Sequence, residues 1–359
     1  MTKLVVIIGV TGNQGGSVAN AFLQQPAWRV RGLTRDPESI ASQHLSARGV
    51  EMVKADLHCP DTLKNVFNGA NLVFSVTDFW MPYFDPINRT RAQELGKTIG
   101  QYAYELELEQ GRNIVDAVAK EVDGLDRVGF IASTLSSARK CSHGRYKELW
   151  HFDSKADIFP DYVEENYPDL AKKMSYLHTG YFFTSWKILP NQWFAKVGHL
   201  YRWISKTVDA HRLTAWQMSD KSIEMRFPTH RETIVPHLDP RKDTGNFVRA
   251  LLQLPPNSTV MAASEWCTWP EWLKTWGDVT GVKTNYRECT VEDFDHWMPG
   301  GMGKEIGDMY EYSNDPGYDG GDPRVLRTQS LKEMGIAIPT TSLREYCETE
   351  DWVQAGIIS

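Results

Sequence analysis

A short apolar run that leads directly into a glycine-rich turn opens the chain and constrains its fold most. Residues 4–8 (LVVII) have the β-branched character of a buried strand, and residues 9–17 (GVTGNQGGS) precede a segment with helical spacing. A strand, a glycine turn and a helix N-terminus together hold the pyrophosphate of a dinucleotide. The spacing is GxxGxxG rather than GxGxxG, and a tight turn without a ligand is the alternative. We predict a dinucleotide site that includes Gly9, Thr11, Gly12, Asn13, Gln14 and Gly15.

The end of the second predicted strand indicates which dinucleotide binds. Residues 28–34 are typical of this strand, and Arg35 follows it about 20 residues after the glycine turn. An arginine at this position pairs with the 2′-phosphate of NADP, whereas an acidic side chain accepts the ribose hydroxyls of NAD. Asp36 follows immediately, and a solvated strand-end arginine is the alternative. We predict NADP(H) as the cofactor.

Strands and helices alternate through the first half of the chain. Strands are predicted at residues 49–56, 70–77, 126–133 and 174–180, helices at 37–48, 61–67 and 98–120, and an aromatic loop at 78–97. This alternation predicts the α/β class with a doubly wound parallel Rossmann sheet. Ligands of such sheets bind beyond the carboxyl ends of the strands. We expect Asp56 and Leu57 near the adenine and Thr77 near the nicotinamide, with ordinary polar strand ends as the alternative.

The pattern changes after residue 180, where aromatic residues and short segments replace the regular alternation. We predict a Rossmann domain over residues 1–180, completed by about 233–262. Residues 181–232 and 263–359 would form a smaller, discontinuous α+β substrate-binding domain. Residues 235–239 are expected to return the chain to the sheet, before a helix at 246–254 that Asp243 or Thr244 caps.

Composition and charge exclude several classes of function. The chain has 359 residues, a formal net charge of −7 and five scattered cysteines without metal or disulfide spacing. No block of lysine and arginine supports direct nucleic-acid binding, and no apolar stretch reaches the roughly 18–20 residues of a membrane span. We expect no metal and no membrane partner, and a cytoplasmic protein with a nuclear location also open. The oligomeric state stays open, with a dimer as one possibility.

One helix-like segment carries candidate catalytic residues. His151 and Lys155 lie four residues apart, so they share a helix face, and the segment follows the fifth predicted strand. Lys155 is expected to bind the nicotinamide ribose and to lower the pKa of a nearby proton donor, with a surface lysine as the alternative. His151 and Tyr146 are candidate proton donors, and Ser133 is a candidate hydrogen-bond donor to a substrate carbonyl. A structural or cofactor-orienting histidine is the alternative for His151.

Seven short segments, spread over nearly the whole chain, carry a resemblance to a known family. They are residues 9–16 (GVTGNQGG), 34–35 (TR), 76–80 (VTDFW), 110–117 (QGRNIVDA), 151–155 (HFDSK), 243–245 (DTG) and 317–321 (GYDGG). In these segments the chain resembles the NmrA-like branch of the atypical short-chain dehydrogenase superfamily, and the resemblance implies an NADP(H)-binding Rossmann domain and a smaller domain. It also implies two functional types, relatives that reduce substrates and relatives that sense NADP(H) and bind transcription factors. The superfamily motif Tyr-x-x-x-Lys appears here with His151 in the tyrosine position and Lys155 retained.

These observations favour an NADPH-dependent oxidoreductase that reduces a carbonyl, an imine or an activated alkene of a mid-sized apolar substrate. The expected pocket wall consists of residues 79–84 with Tyr181, Phe182, Phe183, Trp186 and Trp193. The alternative is a non-catalytic NADP(H)-sensing regulator that binds a transcription factor or another partner protein. A Rossmann scaffold that no longer binds nucleotide is a third interpretation.

Overall fold

The structure, a computed structural model, describes residues 2–188, 190–196 and 222–358. This part of the chain contains thirteen strands. In chain order they are β1 (Lys3–Ile8), β2 (Trp28–Thr34), β3 (Val50–Lys54), β4 (Leu72–Ser75), β5 (Phe130–Thr134), β6 (Met174–Thr179), β7 (Tyr181–Phe182), β8 (Ala195–Lys196), β9 (Ile223–Phe227), β10 (Val235–Leu238), β11 (Thr259–Ala262), β12 (Glu265–Cys267) and β13 (Thr284–Glu288).

Helices of very different lengths connect these strands. In chain order they are α1 (Asn13–Leu23), α2 (Ile40–Ala47), α3 (Trp80–Phe84), α4 (Pro86–Glu94), α5 (Ile99–Val118), α6 (Ala138–Cys141), α7 (Trp150–Ala156), α8 (Val163–Asn166), α9 (Pro168–Ala171), α10 (Pro190–Trp193), α11 (Thr244–Leu251), α12 (Trp269–Thr280), α13 (Val291–Trp297), α14 (Met302–Tyr312), α15 (Thr328–Glu333) and α16 (Leu343–Thr349). Short 3₁₀ turns lie at Pro60–Leu63, Ala119–Gly124 and Ser185–Lys187.

Seven of the strands form one parallel sheet in the order β11-β6-β5-β4-β1-β2-β3. Strand β1 pairs with both β2 and β4, so the direction of winding reverses between β1 and β4. This reversal opens a crevice at the carboxyl ends of the two strands, which is where ligands of such sheets bind. The predicted doubly wound Rossmann sheet is confirmed.

Helices cover both faces of the sheet, which explains the continuous apolar run at residues 4–8. Leu4 and Val6 pack in a core with Ile114 and other residues of α5, while Val5 packs on the opposite face with α1 and Phe247 of α11. A strand that is buried on both faces must be apolar at every position rather than at alternate positions. The run therefore identifies a central strand of a parallel sheet.

Two smaller sheets and an aromatic core lie beyond the main sheet. The sheets have the orders β12-β10-β7 and β13-β9-β8. Four fully buried tryptophans dominate the adjoining core, together with tyrosines from α14: Trp193, Trp269, Trp272, Trp276, Tyr310 and Tyr312. Much of the aromatic content of the chain thus packs in this core.

Several predicted elements differ from the structure. The helix predicted at 61–67 is only a 3₁₀ turn, and the predicted loop at 78–97 contains α3 and α4. Residues 235–238 form β10 of a small sheet, and β11 is the strand that returns to the main sheet. Asp243 precedes α11 but its side chain makes no capping hydrogen bond. Residues 189 and 197–221 of the predicted smaller domain lie outside the described residues, and the two-domain division stays a prediction.

Within residues 2–188, 190–196 and 222–358, none of the helices combines the length and the apolar character that crossing a membrane requires.

Candidate functional site

A cleft of about 750 Å³ lies at the carboxyl ends of β1 and β4, where the winding of the sheet reverses. Its lining combines the glycine turn with the ends of the neighbouring strands. Ten of the residues that we predict to bind the cofactor line it: Gly9, Thr11, Gly12, Asn13, Gln14, Gly15, Arg35, Asp56, Leu57 and Thr77. The structure therefore brings these predicted residues together in one cleft.

The glycine turn is packed too closely to accept side chains. A Cβ atom on Gly15 would lie 2.3 Å from the carbonyl oxygen of Gly9, and one on Gly12 would lie 3.2 Å from the same oxygen. Gly9 itself has a φ of +65°, a left-handed conformation that favours glycine. The turn thus leads the backbone tightly from β1 into α1, so the N-terminus of α1 borders the cleft. This geometry fits the pyrophosphate of a dinucleotide.

Residues of α5 hold the segment that we predict to border the adenine. The Asn113 side-chain amide donates to the carbonyl oxygen of Leu57 at 2.8 Å, and the Gln110 amide lies 2.8 Å from Nε2 of His58. Asp56 accepts a hydrogen bond from the backbone N–H of His58. The segment at 110–117, one of those that carry the family resemblance, therefore fixes the far wall of the cleft.

Arg35 lies at the end of β2 and lines the cleft near α3. Its Nη2 atom is 3.2 Å from the Met81 sulfur, and Met81 is also part of the lining. Among the described residues, no carboxylate forms an ion pair with this guanidinium. Its charge is therefore available to a phosphate.

A second cavity, of about 250 Å³, adjoins the cleft and shares Gln14, Thr77 and Trp80 with its lining. Aromatic and apolar side chains form most of its wall, among them Phe79, Tyr181, Phe182, Trp193, Met302, Ile306, Met309, Tyr310 and Tyr318. Ser133, His151 and Lys155 also line it. Phe183 and Trp186, which we expected in the wall, are instead buried in the neighbouring aromatic core.

A buried carboxylate that the sequence analysis missed neutralises Lys155. Glu107 of α5 is fully buried and forms an ion pair with the Lys155 ammonium. It also accepts hydrogen bonds from the hydroxyls of Ser154 and of Thr77, the latter at 2.6 Å. Two of these three donors, Lys155 and Thr77, line the small cavity. Glu107 therefore holds two of the side chains that line the cavity in place.

A second buried carboxylate, also missed, holds His151. The Glu305 Oε1 atom lies 2.6 Å from His151 Nδ1 and accepts the backbone N–H of His151 at 2.9 Å. Because a carboxylate accepts hydrogen bonds, Nδ1 carries a proton here, and Nε2 is the nitrogen left for a ligand. Nε2 has no hydrogen-bond partner in the described part of the chain. The imidazole also contacts Trp80 and Phe79, with ring centroids 5.0 Å and 5.8 Å away.

The other two candidate catalytic residues differ in position. Ser133 donates to Gln14 Oε1 at 2.8 Å, at the junction of cleft and cavity. Tyr146 instead donates to Glu311 at 3.2 Å, and burial raises its pKa to about 12. Its phenol packs against Tyr312, and Tyr146 is not among the described residues that line the cleft or the cavity. The role of Tyr146 as a proton donor stays a prediction that no cavity contact supports.

Sequence comparisons relate the chain to fungal oxidoreductases. It is 38% identical over 124 residues to the NmrA-like family domain-containing oxidoreductase FrzB of Cladobotryum sp, a match that spans 33% of this chain and 31% of that protein. It is 27% identical over 295 residues to the similarly described oxidoreductase ptmS of Penicillium ochrochloron, which spans 79% of this chain and 75% of that one. The first of these matches thus covers about a third of the relative's length.

Comparison with solved structures supports the fold. NmrA, a negative transcriptional regulator in complex with NADP, is 14% identical, covers 99% of this chain and 97% of its own, and has a TM-score of 0.63. The triphenylmethane reductase of Citrobacter sp. complexed with NADP(H) is 13% identical, with coverages of 96% and 98% and a TM-score of 0.58.

The family model described as the NmrA-like family matches residues 1–353, and the chain therefore belongs to the NmrA-like family.

Proposed function

We propose that this protein is an NADPH-dependent reductase that acts on a mid-sized apolar substrate with a carbonyl, an imine or an activated alkene. The observation that carries the proposal is the small aromatic cavity, which adjoins the dinucleotide cleft and is lined by both His151 and Lys155. The oxidoreductase descriptions of the fungal relatives support the same class of reaction.

In this proposal the cleft holds NADPH. The amides of the glycine turn bind its pyrophosphate, Arg35 binds its 2′-phosphate, and the 56–57 segment borders its adenine. The nicotinamide, when bound, supplies a hydride to an acceptor carbon. The residues of this chain orient the acceptor, exclude water and supply the proton that balances the reduction.

His151 is the proposed proton donor, acting through Nε2. The Glu305 carboxylate holds Nδ1 and compensates the positive charge of a ring that is protonated on both nitrogens. The proton passes from Nε2 to the oxygen or nitrogen of the reduced group, or to the neighbouring carbon of an alkene. The neutral ring then regains a proton from solvent. Glu305 acts through His151 and is a positioning residue.

Lys155 has a different role in the proposal. Its positive charge is already balanced by Glu107, and its ammonium has further N–H groups beyond the one used in that ion pair. These can bind the hydroxyls of the nicotinamide ribose. Ser133, which is fixed by Gln14, has an oxygen that accepts a further hydrogen bond at the same edge.

The cavity wall indicates the type of substrate. Its mostly aromatic and apolar lining favours a flat apolar body, and the lining also includes the polar side chains of Ser133, His151 and Lys155. A substrate would thus be held by ring contacts and oriented by one polar group. This arrangement matches a single reducible double bond on an otherwise apolar molecule.

The test is NADPH consumption with a panel of aromatic ketones, cyclic imines and enones, followed by identification of the reduced product. We expect turnover with one class, and a His151→Phe variant with kcat lowered about 100-fold at an unchanged Kd for NADPH. Tyr146→Phe is the matched control and should keep the wild-type rate. Absence of turnover across the panel, or a wild-type rate in His151→Phe, would overturn the proposal.

The second candidate function is an NADP(H) sensor that binds a transcription factor or another partner protein. The replacement of the superfamily tyrosine by His151 favours it, and one structure of similar fold is described as a negative transcriptional regulator. A sensor should bind oxidised and reduced cofactor with clearly different Kd values and change its association state on binding. Equal Kd values together with substrate turnover would exclude this alternative.

A further inference from the structure

We propose that Arg241 is a phosphate-binding residue of the dinucleotide cleft, supplied by a segment 228 positions downstream of Asn13 in the glycine turn. Its ligand is the pyrophosphate that all nicotinamide and adenine dinucleotides share. The inference deepens the proposed function and rests on it, since it assumes that the cleft holds a dinucleotide.

The position of Arg241 supports this role. The residue follows β10 and precedes α11, yet it lines the cleft on the side of the glycine turn. Its Nε atom donates to Oδ1 of Asn13, the first residue of α1, at 2.9 Å. Among the described residues, Nη1 and Nη2 have no hydrogen-bond partner. The two terminal nitrogens of the guanidinium are thus free to donate to phosphate oxygens next to the helix N-terminus.

The segment that carries Arg241 is firmly anchored. The buried Asp239 carboxylate accepts the backbone N–H groups of Arg241 and Lys242, at 3.0 Å and 3.1 Å. The buried Asp243 carboxylate accepts hydrogen bonds from the Ser264 hydroxyl and from the backbone N–H of Thr341, at 2.6 Å and 2.8 Å. These buried contacts hold the backbone on both sides of Arg241.

Gly245 then joins this segment to α1. Its N–H donates to the Ser17 hydroxyl at 3.0 Å, and a Cβ atom on Gly245 would lie 2.5 Å from the Ser17 carbonyl oxygen. Helices α1 and α11 therefore pack with almost no space between them at this point. The segment at 243–245, singled out in the sequence as part of the family resemblance, thus positions Arg241 relative to the glycine turn.

Charge is the third argument. Lys242, the neighbouring cation, lies 3.5 Å from Glu345, whereas Arg241 has no carboxylate partner in the described part of the chain. The glycine turn supplies backbone amides but no charged side chain to a pyrophosphate. A guanidinium at this point supplies the missing positive charge, and its two terminal nitrogens match the spacing of phosphate oxygens.

The experiment compares two variants and a control variant with two ligands, by calorimetry on nucleotide-free protein. Because every dinucleotide has the pyrophosphate, Arg241→Ala should raise the Kd for NADPH and for NADH by the same factor, about tenfold. Arg35→Ala should raise the Kd for NADPH and leave that for NADH unchanged. Lys242→Ala is the matched control, with wild-type Kd values for both ligands.

The outcomes separate this inference from the proposed function. Wild-type Kd values in Arg241→Ala, or a loss confined to NADPH, would overturn the role of Arg241 even if turnover is found. An equal loss for both ligands in a protein without any turnover would support Arg241 and contradict the reductase. A wild-type protein that binds neither ligand would overturn both. Circular dichroism and the unfolding midpoint confirm that each variant is folded.

Discussion

The carboxylate of Glu107 on α5 and the ammonium of Lys155 on α7 form an ion pair beneath the small cavity, with the Glu107 side chain fully buried and the Lys155 side chain 14% exposed. Burying two opposite charges is tolerated only because each compensates the other. The pair therefore couples the position of a candidate cofactor-binding residue to the packing of α5, the longest helix in the described part of the chain.

Removing one charge should destabilise the fold. In Glu107→Gln the partly buried Lys155 ammonium loses its carboxylate, and we expect the free energy of unfolding to fall by about 3 kcal/mol. The double variant Glu107→Gln with Lys155→Met removes both charges and should recover most of that loss. Urea unfolding followed by circular dichroism measures both values. A double variant as unstable as the single one would assign the loss to the hydrogen bonds from Thr77 and Ser154 instead.

The contrast between the glycine turn and these buried carboxylates explains what the sequence could predict. The turn is a local pattern, and the topology of a parallel sheet brings strand ends such as Arg35 and Asp56 to the same edge. Glu107 is separated from Lys155 by 48 positions, and Glu305 from His151 by 154, so no local spacing links them.

One signal for Glu107 was nevertheless present in the sequence. It lies at helical spacing from Ala103 and Ile114, on the buried face of α5, where a charged residue requires a partner. Glu305 likewise lies at helical spacing from the buried Met309 and Tyr312 of α14. Its segment also carries charges at Lys304, Asp308 and Glu311, so the pattern does not single Glu305 out. The aromatic segment at 78–97 was predicted as a loop because it contains prolines, which interrupt helices. Pro86, however, occupies the first turn of α4, where proline is well tolerated.

Glu305 should matter for the reaction rate more than for binding. Glu305→Gln keeps the size of the side chain and an oxygen for His151, but removes the charge that compensates a protonated ring. We expect kcat to fall about 100-fold with KM changed less than about twofold, in steady-state assays with NADPH and the substrate identified by the panel. Glu311→Gln, on the same helix, is the matched control. If both variants lose kcat equally, the effect of Glu305→Gln comes from a general change in structure and not from the lost charge beside His151.

Two adjacent glycines should respond differently to an added methyl group. In Gly15→Ala the new Cβ would meet the Gly9 carbonyl oxygen at 2.3 Å, so the turn must open; we expect binding of NADPH to weaken at least about 100-fold. In Gly16→Ala the nearest atom, the Val10 carbonyl oxygen, lies 3.5 Å away, and alanine favours a helix by about 0.5–1 kcal/mol. Calorimetry and thermal unfolding measure the two effects. Similar binding by both variants would contradict the close packing of the turn.

Buried His237 should make the fold sensitive to mild acid. Burial lowers its pKa from 6.5 to about 3, so the native ring stays neutral while an unfolded chain takes up a proton below pH 6.5. Its contribution to stability is therefore full above pH 6.5 and falls by about 1.4 kcal/mol per pH unit between pH 6.5 and about 3. Burial raises the pKa of Asp153 to about 6, so the native carboxyl takes up a proton at a higher pH than the unfolded one. Between pH 6 and 3.8 this uptake stabilises the native state as the pH falls, and it offsets part of the loss caused by His237.

The variant that isolates this effect is His237→Phe. An apolar ring fits the surroundings, since Trp269 packs edge-on against the imidazole with centroids 4.8 Å apart and Phe183 lies nearby. Urea unfolding at pH 4.5, 5.5, 6.5 and 7.5 should give a slope of free energy against pH that is about 1.4 kcal/mol per unit lower than in the wild type below pH 6.5. His44→Gln, an exposed position on α2, should keep the wild-type slope. If His237→Phe retains that slope as well, the imidazole is protonated in the native state and its burial is not what makes the protein acid-sensitive.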